Sequence, residues 1–145
     1  MVVVGVGSEL RGDDAAGIIV VRRLRKGLTS PNVLTIEGGV SPENFTSPIR
    51  RFNPSHVVLI DATDFGAAPG EIVFAEPEAI VGQSVSTHTI PLSIMASYLR
   101  EQTGAKIALL GIQPKQVNIA KEMSDQVRAA TGEVVEILSK KLKLL

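Results

Sequence analysis

Asp14, Asp61 and His88 are the residues whose types and placement suit joint chemistry: two acids and an imidazole drawn from distant stretches of the chain. Asp14 closes the run Gly5-Val6-Gly7-Ser8-Glu9-Leu10-Arg11-Gly12-Asp13-Asp14, which leaves a β-branched strand and opens a helix. A loop of that kind can cradle phosphate, but Asp13 and Asp14 at the helix N-terminus would repel an anion, so a cation or a peptide fits better. A lone aspartate there is usually a helix cap. A pair leaves one to cap and one to face a crevice, and the residues alone do not say which. Asp61 ends the apolar run Val57-Val58-Leu59-Ile60, where a carboxylate is partly desolvated and needs a cation or a donor to keep its charge, the alternative being a capping or turn aspartate. Asp64 reads as a turn residue. His88 lies in Ser86-Thr87-His88-Thr89-Ile90-Pro91, ahead of a helix, where an imidazole titrating near neutrality suits metal ligation or general acid–base work, although a lone histidine is more often a satisfied loop residue. His56 precedes the third strand and belongs at the opposite end of the sheet. Ser8, Ser84 and Ser86 are weak nucleophile candidates, since no Gly-x-Ser-x-Gly elbow follows a strand.

Positioning these groups requires strands and helices in alternation. Met1 to Val6 reads as a strand buried on both faces, the first and central one. A helix with Ile18, Ile19, Val21 and Leu24 follows and ends near Gly27. Asn32 to Ile36 reads as a second strand, Gly38-Gly39 as a turn, and Ser41-Pro42-Glu43-Asn44 as the start of a short helix interrupted at Pro48. Val57 to Ile60 is a third strand with Asp61 at its end. The stretch Ala62 to Gly70 is too short for a helical crossover, which makes Glu71 to Ala75 an antiparallel edge strand. Ile90 to Arg100 is helical in pattern, Lys106 to Gly111 is the fifth strand, and Ala120 to Leu142 carries a long amphipathic helix with Val127, Val134, Ile137 and Leu138 on one side. The expected architecture is α/β: a three-layer, doubly wound domain over residues 1–145, with a five-stranded, mostly parallel sheet and one antiparallel edge strand. Sites in such folds lie at the carboxyl ends of the strands, near the switch in strand order. Asp14 and Asp61 are both delivered there.

Composition narrows the chemistry. Fifteen basic and fifteen acidic residues give a formal net charge of +0, so no global field favours nucleic acid or anionic lipid. Cysteine is absent, which excludes thiol nucleophiles, disulfides and thiolate metal sites. The apolar runs are too short to span a bilayer and no signal segment opens the chain, which places it in the cytoplasm. Two carboxylates and an imidazole form a set that nickel, zinc or iron can accept with open positions remaining. Three side chains make a weak permanent cage, adequate if a substrate supplies the other ligands.

Gly5 to Gly17, Glu37-Gly38-Gly39-Val40-Ser41-Pro42-Glu43-Asn44, Leu59-Ile60-Asp61-Ala62, Thr87-His88-Thr89-Ile90-Pro91 and Leu110-Gly111-Ile112-Gln113-Pro114, in that order, resemble the nickel-iron hydrogenase maturation endopeptidases, in particular the type serving hydrogen-evolving hydrogenases. The resemblance covers essentially the whole chain. It implies a phosphorylase/hydrolase-like fold and a protease that trims the C-terminal extension of the hydrogenase large-subunit precursor once nickel is inserted. The family's metal contacts fall on Asp14, Asp61 and His88, which also become the catalytic candidates. Nickel would come with the substrate, and zinc could occupy the same site in isolation. Gly38 and Gly39 would let backbone approach the tail peptide, although a tight turn alone accounts for two glycines. An aspartate activating water and a metal polarising the carbonyl suit the same residues. The protein is expected to act as a monomer, without nucleic acid or membrane insertion. Ser8 stands where the family often has Asn, and Asp14 where some members carry Glu, which shortens the reach of that carboxylate. Two other classes compete: a phospho-acceptor receiver domain, which needs a lysine at the end of strand five where Gly111-Ile112-Gln113-Pro114 stands, and a binding module without catalysis.

Overall fold

The computed structural model describes residues 1–80, 83–84 and 90–145. Five strands, β1 (Val2–Val6), β2 (Leu34–Gly39), β3 (His56–Asp64), β4 (Ile72–Ala75) and β6 (Lys106–Ile112), form a sheet in the order β2-β1-β3-β6-β4, and a two-residue β5 (Gln83–Ser84) pairs with β3 alone. β1, β2, β3 and β6 run parallel, and β4 lies antiparallel to β6 at the edge, as the short connection to it requires. The middle strand is β3, not β1. Burial on both faces marks any inner strand and cannot rank one against another, so the apolar run of β1 did not reveal its place.

Alternation along each strand sorts the core into two layers. Val2, Val4, Val57 and Leu59 pack with Ile49 and Leu99 under α2 (Thr46–Phe52) and α3 (Leu92–Thr103). Val3, Val58 and Ile60 pack with Val20, Leu24 and Val134 under α1 (Ala16–Gly27) and α4 (Asp125–Leu142). Each fully buried Val, Leu or Ile contributes roughly 1.5–3 kcal/mol, so the two layers together fix the sheet. α1 also carries Arg25 and Lys26 in its last turn, where the helix dipole favours them. Its connection leads outward from β1 to β2, whereas α2 lies on the other face and returns the chain past β1 to β3. The strand order therefore reverses between β1 and β3.

Several boundaries differ from the sequence reading. β3 continues past Asp61 to Asp64, because Asp61 and Ala62 pair with Gly111 and Ile112 and Thr63 pairs with Ser84. Gly38 and Gly39 finish β2 rather than forming a separate turn; a register shift between Gly5 and Val6 absorbs the extra residue. Pro48 does not break its helix but sits in the first turn of α2, where its missing N–H is no loss. α4 starts at Asp125 instead of Ala120, and Ile137 is exposed, since only Val127, Val134 and Leu138 lie near one helical stripe.

Candidate active site

A 3-10 turn over Gly12–Ala15 carries both Asp13 and Asp14 into α1, and both side chains are fully buried. Neither caps the helix. Asp13 instead ties two remote segments together: its carboxylate accepts the backbone N–H of Lys115, Gln116 and Ser124 at 2.8, 3.0 and 2.7 Å, and the Ser124 hydroxyl at 2.9 Å. Asp14 faces the loop that follows β1. Its Oδ2 accepts the Ser8 N–H at 3.0 Å and lies 3.8 Å from the Arg11 guanidinium. A Cβ on Gly7 would stand 2.0 Å from the Asp14 carbonyl oxygen, so glycine, at φ +126°, is what lets the loop close over this residue.

Asp61 is also fully buried, on the α2/α3 face of β3. Ser84, brought alongside by the β5 pairing, donates its hydroxyl to Asp61 Oδ2. The two acids come to one edge through Gly17. A Cβ there would lie 2.2 Å from the Ile60 carbonyl, so the start of α1 rests directly on the residue before Asp61, and Asp14 stands one helical turn before Gly17. Thr63, on the same face of β3 as Asp61, is buried with its hydroxyl unpartnered among the described residues. His88 and Ser86 lie outside the described residues. Among those that are described, no three acid or imidazole groups converge as a metal site. The carboxylates of Asp14 and Asp61 remain oxygen donors of the kind a divalent cation accepts.

Beside this edge runs a groove of about 370 Å³ whose walls include Gly7, Ser8, Leu10, Gly39 and Val40. Gly39, at φ +62°, opens onto it with nothing near its Cβ position, whereas Gly38 is packed against Val4 and Pro42. Of the two glycines expected to meet a peptide, only Gly39 borders the groove. Glu37 and Arg22 complete one wall, joined at 2.7 Å; the Arg22 hydrogen bond is the main reason the Glu37 carboxyl is held below its ordinary range. A larger cleft, about 1290 Å³, lies at the amino ends of the parallel strands beside His56 and Lys106. His56 is exposed there, remote from both buried aspartates, as its position before β3 implied.

Sequence reading missed two supports. Gln113 accepts the N–H groups of Phe65 and Ala67 at 2.9 and 3.2 Å and donates to Asp64 at 3.1 Å, locking the loop beyond β3. Its place right after strand β6 was the available signal. Ser84 was weighed only as a nucleophile; no local motif announced that it would hold Asp61. Asp64 accepts the Gly66 N–H at 3.1 Å, the turn role its composition suggested.

A doubly wound α/β protein with a buried acid pair at its switch point is suited to a cation or a peptide, and it has Gln113 where a receiver domain needs lysine. The family model described as HycI, hydrogenase maturation protease, matches residues 18–141. Hydrogenase 3 maturation protease of Escherichia coli K12 is 34% identical over 134 residues, spanning 92% of this chain and 85% of that protein. The crystal structure of the NiFe hydrogenase maturation protease HycI from Thermococcus kodakarensis KOD1 aligns with a TM-score of 0.90 at 39% identity, covering 98% of this chain and 91% of the other. The solution structure of the endopeptidase HycI from Escherichia coli aligns at 0.84 and 33% identity, covering 96% and 88%. The chain belongs to the hydrogenase maturation protease family.

Proposed function

We propose that this protein is the endopeptidase that removes the C-terminal extension from the large-subunit precursor of a nickel-iron hydrogenase after nickel insertion, acting as a monomer in the cytoplasm. The observation that carries this reading is the pair of buried carboxylates, Asp14 from the turn that opens α1 and Asp61 from the carboxyl-terminal half of β3, in a chain without cysteine. Both carboxylates already accept hydrogen bonds, from Ser8 and Ser84, and a divalent cation is a further partner that two buried carboxylates can share. Nickel held by the precursor is that cation. Asp14, Asp61 and His88 engage it, and docking of the metal sets the adjoining tail across the groove at Gly39. Recognition thus reports that the metal has been inserted.

Hydrolysis then adds a water oxygen to the scissile carbonyl carbon and returns a proton to the leaving amine. The aspartate pair supplies a proton acceptor beside the metal, while the metal can polarise the carbonyl; both routes draw on the same side chains. No helix among the described residues is long and apolar enough to cross a membrane.

The deciding experiment incubates purified protein with nickel-loaded and nickel-free precursor and follows tail loss by mass spectrometry. Trimming of the loaded form alone is expected, abolished in Asp61→Asn and His88→Ala. Equal trimming of both forms would overturn the nickel reading, and no trimming of either would overturn the protease reading for this substrate.

A further inference from the structure

Leu10 and Ile119 are 71% and 76% exposed, and the Ala120 N–H donates to the Leu10 carbonyl at 3.0 Å, so these two aliphatic side chains belong to adjoining backbone segments. Isolated exposed aliphatics need no explanation. These differ because the structure holds their loop so firmly. Residues Lys115 to Ser124 leave the sheet after β6 and return to α4, and the single buried carboxylate of Asp13 grips both ends, at Lys115 and Gln116 on one side and Ser124 on the other. The tip is fastened by the Leu10 carbonyl. Ala120, next to Ile119, takes a left-handed φ of +62°, a conformation that is unfavourable for a residue with a Cβ and persists only where surroundings impose it. Backbone anchors at both ends and at the tip of the loop, with a strained residue beside Ile119, leave less backbone freedom to lose on contact.

The patch is continuous with the candidate active site. Leu10 N–H bonds the Ser8 hydroxyl at 3.3 Å, and Ser8 N–H bonds Asp14 Oδ2 at 3.0 Å; Leu10 also borders the groove that runs to Gly39. A partner seated on Leu10 and Ile119 therefore has the groove directly beside it. The loop carries Lys115 and Lys121, both exposed, against Glu122, and the exposed Glu9 beside Leu10 is paired with Arg22.

We infer that Leu10 and Ile119 form the docking platform for the folded body of the protein substrate, a surface with an apolar centre and an acidic border, which seats there while its metal and tail enter the site. This rests on the proposed function, whose substrate it is. The platform explains how a protease with a small open groove selects one protein: contact outside the groove holds the precursor, and the metal is checked only once it is held.

The test compares wild type with Leu10→Asp, Ile119→Asp and the double variant, with Ile137→Asp on the far part of α4 as control. Thermal melting first confirms that all fold, as exposed positions allow. Affinity for nickel-loaded precursor, measured by biolayer interferometry, and KM for trimming are then determined. Each single change is expected to weaken binding about tenfold and the double change further, with KM rising in step. Ile137→Asp should bind like wild type. If wild type trims the precursor and the double variant binds and trims it equally well, or if Ile137→Asp weakens binding as much, the platform is wrong while the protease reading stands. If wild type neither binds nor trims, both fail.

Discussion

Ser84 donates its hydroxyl to Asp61 Oδ2 across the step where β5 pairs antiparallel with β3. A donor so placed fixes the rotamer of the carboxylate, which the proposed engagement of the substrate's metal requires. Removing it with Ser84→Ala should slow precursor trimming by about tenfold or more and lower the melting temperature by several degrees, because a buried carboxylate loses a donor. Ser84→Thr keeps the hydroxyl and should restore most of the rate in a single-turnover assay. A variant with alanine that trims at the wild-type rate would remove Ser84 from the site.

The adjacent aspartates should separate cleanly by readout. Asp13 holds the partly buried backbone donors of Lys115, Gln116 and Ser124, whereas Asp14 faces the loop after β1. Asp13→Ala leaves those donors without a partner and should lower stability by about 3–5 kcal/mol, seen as an early urea transition. Asp14→Asn keeps the size and the Ser8 contact; its melting temperature should stay within a few degrees while trimming falls at least about a hundredfold. The opposite pattern would exchange their roles.

Thr63 offers a test of what the site tolerates for function. Its hydroxyl is buried without a partner among the described residues, on the same strand face as Asp61. An orphaned buried hydroxyl costs about 1–3 kcal/mol, and Thr63→Val removes it at nearly constant volume. The variant should therefore melt several degrees higher. If the hydroxyl serves the reaction, trimming slows despite the gain in stability; a lower melting point would show that the hydroxyl has a structural partner after all.

The sheet was legible in the sequence because its strands announce themselves twice, by β-branched apolar runs and by the turns that end them. Even the antiparallel direction of β4 followed from the length of the segment before it. What the residues could not tell was which aspartate of the pair does which task. Asp13 is defined by Lys115, Gln116 and Ser124, about a hundred positions away in the chain, and no local pattern encodes those contacts. The same holds for Asp61, whose partner Ser84 comes from a two-residue strand too short to show periodicity. Gly38 and Gly39 illustrate the limit from the other side: identical neighbours in sequence, one is required by packing and the other borders open space.

The groove wall predicts a pH dependence. Glu37 is held below its ordinary value of 4.5, first by the Arg22 hydrogen bond and further by the charges of Arg22 and Arg25. A carboxyl whose folded value is depressed contributes stability that is complete above the unfolded value and disappears as pH falls through the folded one. Wild type should thus exceed Glu37→Gln in melting temperature at pH 7 by about 2–3 °C, a modest gap because the pair is solvent-screened. The gap should close between pH 5 and pH 3, and shrink in high salt at neutral pH. A difference that persists unchanged at pH 3 would show that packing, rather than charge, makes Glu37 valuable.

Two glycines at the same edge should respond oppositely to alanine. At Gly17 the added methyl would lie 2.2 Å from the Ile60 carbonyl and 2.6 Å from that of Val6, both backbone atoms fixed within the sheet. Helix α1 would have to lift away from β1 and β3, carrying Asp14 with it, at a cost beyond the roughly 1–3 kcal/mol of ordinary overpacking. Gly17→Ala should melt about 10 °C or more below wild type or fail to accumulate, and any folded fraction should trim poorly because the acids no longer share an edge. Gly39→Ala meets no neighbour; its φ of +62° imposes only backbone strain of about 1 kcal/mol. That protein should fold, melt about 3 °C lower, and show its main defect as a raised KM for precursor, since Gly39 borders the groove where the tail is proposed to lie. A Gly39→Ala variant with wild-type KM would move the tail out of that groove, and a Gly17→Ala variant of normal stability would contradict the close contact between α1 and β3 that sets Asp14 and Asp61 at the same edge.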